Sequence, residues 1–166
     1  MRAITYHVGR GRVTGFTIVE LLVTVVIVSI LASAVLPMAE LARQRAKEHE
    51  LRQALMQIRG ALDAYKQASD DGRIARQPGE SGYPRSLDDL VKGVVDVKDP
   101  AGAKRYFLRR LPRDPTFPDA AVAPALTWGK RSYASSAEAP KEGADVYDVH
   151  SLTQGAGMNG IPFRNW

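Results

Sequence analysis

The sequence predicts an α+β protein in which a long N-terminal α-helix, half membrane-like and half amphipathic, packs on a small C-terminal antiparallel β-sheet. Three observations carry this. Phe16 to Leu36 is an apolar run of 21 residues holding a single charge, Glu20. Leu51, Leu55, Ile58, Leu62 and Tyr65 then recur at spacings of 4, 3, 4 and 3, one stripe of an amphipathic helix. Two stretches rich in Trp, Tyr and Val follow beyond residue 125, separated by turn residues, the pattern of short paired strands.

The 166 residues suffice for one modest globular domain plus a long extra element. There is no cysteine, which removes disulfides, thiolate metal sites and thiol nucleophiles together. The formal net charge is +5, but Arg2, Arg10 and Arg12 stand in the first fifteen residues, where there is no acid; without them 20 cationic side chains face 18 acidic ones. The basic balance is therefore largely an N-terminal topology signal, and no nucleic-acid partner is expected.

Residues 1–15 form the leader. The apolar run behind it spans roughly 30 Å as a helix, the hydrocarbon thickness of a bilayer. Beyond Pro37, Arg43, Arg45 and Lys47 are balanced by Glu40, Glu48 and Glu50. The uncompensated cations before the run argue for a cytoplasmic N-terminus and an exported remainder. An ordinary cleaved signal is one reading, supported by Ala32-Ser33-Ala34 as a small-x-small site that would release a chain starting at Val35. A simple uncleaved anchor is another. Neither explains Glu20, because a charge inside a bilayer costs on the order of 3 kcal/mol and is by default functional. Pro37 either ends the membrane helix or sits in one that continues past a kink.

Gly15-Phe16-Thr17-Ile18-Val19-Glu20-Leu21-Leu22 resembles the class III signal of type IV prepilins and type II secretion pseudopilins. The resemblance implies cleavage by a prepilin peptidase after Gly15 and N-methylation of Phe16. It also implies assembly roles for a glutamate at the fifth mature position and a proline at the twenty-second, which here are Glu20 and Pro37. Gly15 suits a cut because, without a Cβ, it permits close approach. The implied partner of Glu20 is the new α-amine on Phe16 of a neighbouring subunit, a pairing that would fix axial register; a residue snorkelling toward the headgroups is the plainer account of Glu20.

The remainder divides into a membrane and assembly helix at 16–37, its amphipathic continuation at 38–72 and a periplasmic head at 73–166. Ala42 to Glu50 is polar nearly all round and reads as a connecting or solvated stretch. Ser69-Asp70-Asp71-Gly72 ends the helix, with Gly72 available for a left-handed turn. Residues 73–84 form a loop closing on Tyr83-Pro84. Ser86 to Val91 is a short helix, with Ser86 as N-cap, Asp89 three residues on and Gly93 as stop. Leu108 to Pro118 is too rich in proline for regular structure. Strands are expected over about Leu126–Ala134 and Asp145–Leu152, and Gly155–Trp166 is a loop that buries Ile161, Phe163 and Trp166.

This half resembles the major-pseudopilin, or G-subunit, branch of the family. The residues are Tyr83-Pro84, Leu111-Pro112-Arg113-Asp114-Pro115, Tyr147-Asp148-Val149-His150-Ser151-Leu152 and the terminal Asn165-Trp166. That branch implies a calcium ion in the loop after Ser151-Leu152. Here residues 153–164 contain no acid and one arginine, leaving only Gln154 and Asn159 as weak side-chain candidates, whereas hard cations want carboxylates. No cofactor is therefore expected.

Enzymatic chemistry is not expected either. His7, His49 and His150 have no ligand spacing, Asp70-Asp71 reads as a helix end, Asp88-Asp89 as capping and solubility, and no phosphate loop or nucleophile motif appears. The resemblance implies a subunit held in the bacterial inner membrane with its head in the periplasm. Its implied partners are further copies of itself, the prepilin peptidase, an inner-membrane assembly platform and minor pseudopilins. A type IV pilus subunit for adhesion, twitching or DNA uptake, and a soluble periplasmic binding protein, stay open as alternatives.

Overall fold

The computed structural model describes residues 15–166; of the leader, Arg2, His7, Arg10 and Arg12 lie outside the described residues. The first element, α1 (Ile18–Asp70), has 53 residues and carries Pro37 inside it. Of the two possibilities for Pro37, the helix continues. The chain groups into two compact units, one ending at Ala42 and one covering Arg43–Trp166.

In the first unit the large apolar side chains from Ile18 to Leu31 are 48–84% exposed. Its hydroxyls are satisfied within the helix: Thr24 donates to the Leu21 carbonyl at 2.8 Å, Ser29 to Val25 at 2.7 Å and Ser33 to Ile30 at 2.7 Å. A segment whose hydroxyls at Thr24, Ser29 and Ser33 bond back to its own backbone while its large apolar side chains stay uncovered suits an apolar surrounding.

The second unit is organised on the amphipathic half of α1. Leu51, Leu55, Ile58 and Leu62 are fully or almost fully buried, with Ala54, Ala61, Tyr65 and Ala68 on the same stripe. The helix stops as its sequence dictates: Gly72 takes φ 68°, and the Arg73 N–H closes onto the Ala68 carbonyl at 2.9 Å. A second helix, α2 (Leu87–Lys92), follows Ser86 and ends at Gly93. The Asp89 carboxylate accepts the Ser86 N–H at 2.9 Å, the reciprocal contact of a capping box. Gly93 has φ 73°, and a Cβ there would lie 2.8 Å from the Tyr106 ring, so both backbone and space demand glycine.

Strands β1 (Val94–Val95) and β2 (Lys104–Arg105) pair antiparallel. With two residues each they are too short to show any period in the sequence. Strands β3 (Trp128–Arg131) and β4 (Asp148–Ser151) form a separate antiparallel pair with Trp128 opposite Ser151 and Gly129 opposite His150. The expected antiparallel pair forms, with strands shorter than the spans read from sequence, and β1–β2 is a second ribbon that the sequence reading did not expect. Leu126 belongs to a 3-10 turn, Pro124–Leu126. Asp145 is taken out of pairing by its own side chain, which accepts from Ser132 Oγ and from the Tyr133 N–H, both at 2.8 Å.

The proline-rich stretch 108–118 has no regular structure, as expected, yet it is firmly held. Trp128, 1% exposed, donates its indole N–H to the Pro112 carbonyl at 2.9 Å. Asp114 is 0% exposed and accepts from Thr116 N–H at 2.7 Å, from Thr116 Oγ1 at 2.5 Å and from Ser151 Oγ at 2.5 Å. A buried carboxylate is tolerable only when donors surround it. Asp114→Ala removes the common acceptor of two hydroxyls and an amide, so chemical unfolding of the purified chain in detergent should show a loss of about 3 kcal/mol, the upper end for orphaned buried donors. An unchanged midpoint would refute this account of the segment.

Candidate functional site

The helix start is the first place where chemistry gathers. Gly15 and Phe16 precede α1 in irregular backbone, and the Phe16 side chain is 81% exposed. Among the described residues, its chain neighbours aside, no atom lies within 4 Å of the position a Cβ on Gly15 would take. Thr17 caps the helix: its Oγ1 accepts the Glu20 N–H at 3.2 Å and its carbonyl accepts the Leu21 N–H at 3.1 Å. Glu20 is in the first turn, beside free N–H groups and the positive end of the helix dipole. The structure places Gly15, Phe16 and Glu20 within five residues, whereas Pro37 stands 17 residues further along α1, roughly 25 Å at 1.5 Å per residue. The capping role of Thr17 was legible in Thr17-Ile18-Val19-Glu20, which fits the Thr-x-x-Glu pattern, and the sequence reading passed over it.

A second cluster joins α1 to the C-terminal segment. The Arg59 guanidinium donates from Nε to Asp148 Oδ1 at 2.7 Å, and from Nη2 to the carbonyl oxygens of Val149 at 3.1 Å and Trp166 at 2.7 Å. Arg131 reaches the other Asp148 oxygen at 3.3 Å and lies 4.6 Å over the Tyr147 ring. One turn before Leu55, Arg52 stacks 4.4 Å over the Trp166 ring. One turn earlier again, Glu48 is 5% exposed and accepts the Met158 N–H at 2.8 Å. The stretch 42–50, expected to be a connecting or solvated one, contributes a buried carboxylate. These polar residues escaped the sequence reading because they flank the apolar stripe, where a charged residue looks like solvated face until its partners arrive from far along the chain.

The motif pieces meet physically. Tyr83 and Tyr147 pack edge to face at 5.0 Å, the Pro84 carbonyl accepts the Val146 N–H at 2.8 Å, and Asp114 receives Ser151. In the terminal loop Phe163 is buried and packs against Trp166 at 5.3 Å. Ile161 corrects the expectation: it is 47% exposed, because its amide and carbonyl, rather than its side chain, hold the loop. The Asn159 side-chain Oδ1 accepts the Ile161 N–H at 3.0 Å, while Gln154 is exposed. Among the described residues no group of three or more His, Asp or Glu is placed to hold a metal ion. The paired aspartates have structural partners: Asp70 with Lys66 and Arg76, Asp88 with Lys92, Asp89 with the cap of α2.

Comparison with known proteins follows this geometry. The family described as "Prokaryotic N-terminal methylation motif" matches residues 10–36, which takes in Gly15, Phe16 and Glu20 and stops one residue before Pro37. "Type II secretion system core protein G" of Klebsiella pneumoniae is 32% identical over 108 residues, covering 63% of this chain and 69% of that one. The protein of the same name from Aeromonas hydrophila is 32% identical over 110 residues, 64% and 69% of the two chains. The chain belongs to the type II secretion core protein G family. Its similarity to the Vibrio cholerae member, 27% identical over 157 residues, extends across 92% of this chain and 91% of that one. No solved structure gives a significant match. Membership accounts for the two clusters together: the methylation motif covers the start of α1, and core protein G similarity runs on through the head.

His150 adds a pH dependence to the second cluster. Its ring packs on Gly129, where a Cβ would lie 2.2 Å from Nε2. Burial holds its pKa below the ordinary 6.5; Asp148 and Glu142 oppose this, and Arg131 and Arg59 reinforce it. Above pH 6.5 the ring is neutral folded and unfolded alike, so it adds no slope. As pH falls through 6.5 the unfolded chain takes the proton first, and stability declines until the folded ring also protonates. Asp96, Asp145 and Glu80 are depressed from ordinary values of 3.8, 3.8 and 4.5, so their losses begin at lower pH. Thermal unfolding between about pH 7 and 5 should show a falling Tm that His150→Phe, which keeps a ring over Gly129, flattens.

Proposed function

We propose that this chain is a pseudopilin, a filament-forming subunit of a type II protein secretion system that works by assembly rather than by catalysis. One observation supports this above the others: a Gly15-Phe16 step in irregular backbone opens directly onto a helix whose first turn holds Glu20 and whose apolar side chains are uncovered. Cleavage after Gly15 by a prepilin peptidase gives Phe16 a free α-amine, which is then methylated. The mature subunit waits in the inner membrane with its start at the cytoplasmic side and its head in the periplasm.

Assembly exchanges lipid around residues 16–37 for the helices of other copies. Apolar side chains gain little from that exchange beyond packing, so specificity falls to the charged pair. Glu20 of one copy meets the Phe16 α-amine of the next, and the stagger that satisfies both is the filament register. A subunit out of register leaves a buried charge unpaired, at about 3–5 kcal/mol. Pro37 permits α1 to adjust where the membrane half joins the head. Minor pseudopilins and an inner-membrane platform are the further partners of this reading.

Two measurements test it. The intact mass of the chain extracted from membranes should correspond to a polypeptide starting at Phe16 and carrying one added methyl group; a start at Val35 would instead identify a secreted protein cut by ordinary signal peptidase. Glu20→Ala should still insert and be processed but form no filaments when overproduced, and abundant normal filaments from that variant would remove the register mechanism.

A further inference from the structure

The C-terminal loop, residues 153–164, is where the family resemblance implies a calcium ion, and its donor chemistry does not suit one. A calcium site gathers roughly 6–8 oxygen ligands, with carboxylates prominent among them. This loop has no acid, and several of its oxygens are engaged with its own amides. The Gly155 carbonyl accepts the Phe163 N–H at 3.1 Å and the Gly157 carbonyl accepts the Gly160 N–H at 2.8 Å. The Ile161 carbonyl accepts twice, from the Gly157 N–H at 2.9 Å and from Trp166 Nε1 at 3.1 Å. Asn159 Oδ1 is taken by the Ile161 N–H. Arg164 within the loop and Arg52 over Trp166 add positive charge, which opposes a cation.

One carboxylate does reach the loop, and it comes from α1. Glu48 Oε1 accepts the Met158 N–H at 2.8 Å across 110 residues of sequence, and it is positioned by Gln44 Nε2 at 3.2 Å, one turn earlier on the same helix. Met158 is the amide between the two internally bonded turns at Gly157 and Gly160. An anion on that amide closes the loop onto the helix. The Gly157 backbone sits so close to Trp166 that a Cβ would lie 2.2 Å from its ring, so the closed form is also sterically defined.

We propose that Glu48 is the latch of the C-terminal loop in place of a divalent cation, and that the head keeps this loop closed without calcium. The contrast with a cation-held loop rests on the pseudopilin reading; the latch rests on geometry alone, and its tests do not involve the N-terminus.

The experiment uses the full chain in detergent micelles. Thermal unfolding should superimpose in excess EGTA and in added calcium chloride; a Tm lowered by the chelator or raised by calcium overturns the proposal. Amide hydrogen exchange then reads the latch directly. Glu48→Ala should speed exchange at Met158 and its loop neighbours roughly tenfold or more, while the β3–β4 amides keep their protection. Should Glu48→Ala unfold the whole head, Glu48→Gln decides, since it keeps the volume and one acceptor but not the charge. Loop-confined acceleration of severalfold supports the latch, and unchanged loop exchange overturns it.

Discussion

The uncovered apolar surface of α1 from Ile18 to Leu31 is the constraint on which the rest of this protein depends. Among the described residues its large apolar side chains stay 48–84% exposed, while the buried stripe of the helix runs from Leu51 to Tyr65. Lipid or other helices must supply the cover, and the segment is adapted to that by turning each hydroxyl back on its own carbonyls. Within such a surface a carboxylate is the exception that requires a reason. The first turn offers partial relief, through free amides and the helix dipole, but no full counter-charge among the described residues. In the proposed assembly, that deficit is what the Phe16 α-amine of another copy would make good.

The head solves a different problem, which is stability without cysteine. Its segments are short and irregular, with two ribbons and one six-residue helix, so backbone pairing alone gives little rigidity. Buried and half-buried polar nodes take over. Arg59 collects a carboxylate and two carbonyls, Asp114 collects two hydroxyls and an amide, Asp145 collects Ser132 Oγ and the Tyr133 amide together with Ser81 Oγ, and Glu48 collects Met158. Among the described residues no buried side-chain polar atom lacks a partner, which is the condition under which such networks stabilise rather than cost. Two of these nodes involve the short motifs Leu111-Pro112-Arg113-Asp114-Pro115 and Tyr147-Asp148-Val149-His150-Ser151-Leu152. The motifs are therefore meeting points of the fold: Asp114 with Ser151, and Asp148 with Arg59 and Arg131.

Much of the architecture was readable in advance wherever a local rule dominates. The stop at Gly72, the capped helix after Ser86 and the absence of regular structure at 108–118 follow from backbone preferences of glycine, aspartate and proline. Those preferences act over three or four residues, and the tertiary fold had no cause to override them. The strands were readable in place but not in extent, because Pro124 and the Asp145 side chain end them early. The ribbon β1–β2 left no trace in the pattern, since two residues make no period.

The sequence by itself determined the long helix, its division into an apolar half and an amphipathic half, the Gly15–Phe16 step and the position of Glu20 in the first turn. All of these are written in periodicity and spacing along one element. Only the tertiary structure decided that Glu48, Arg52 and Arg59 grip the C-terminal segment, that Asp114 is buried and that Ile161 faces outward. The physical reason is distance along the chain: the partners of Arg59 and Glu48 lie 89 to 110 residues away, and no local pattern announces a charge whose counterpart arrives only when the chain has closed.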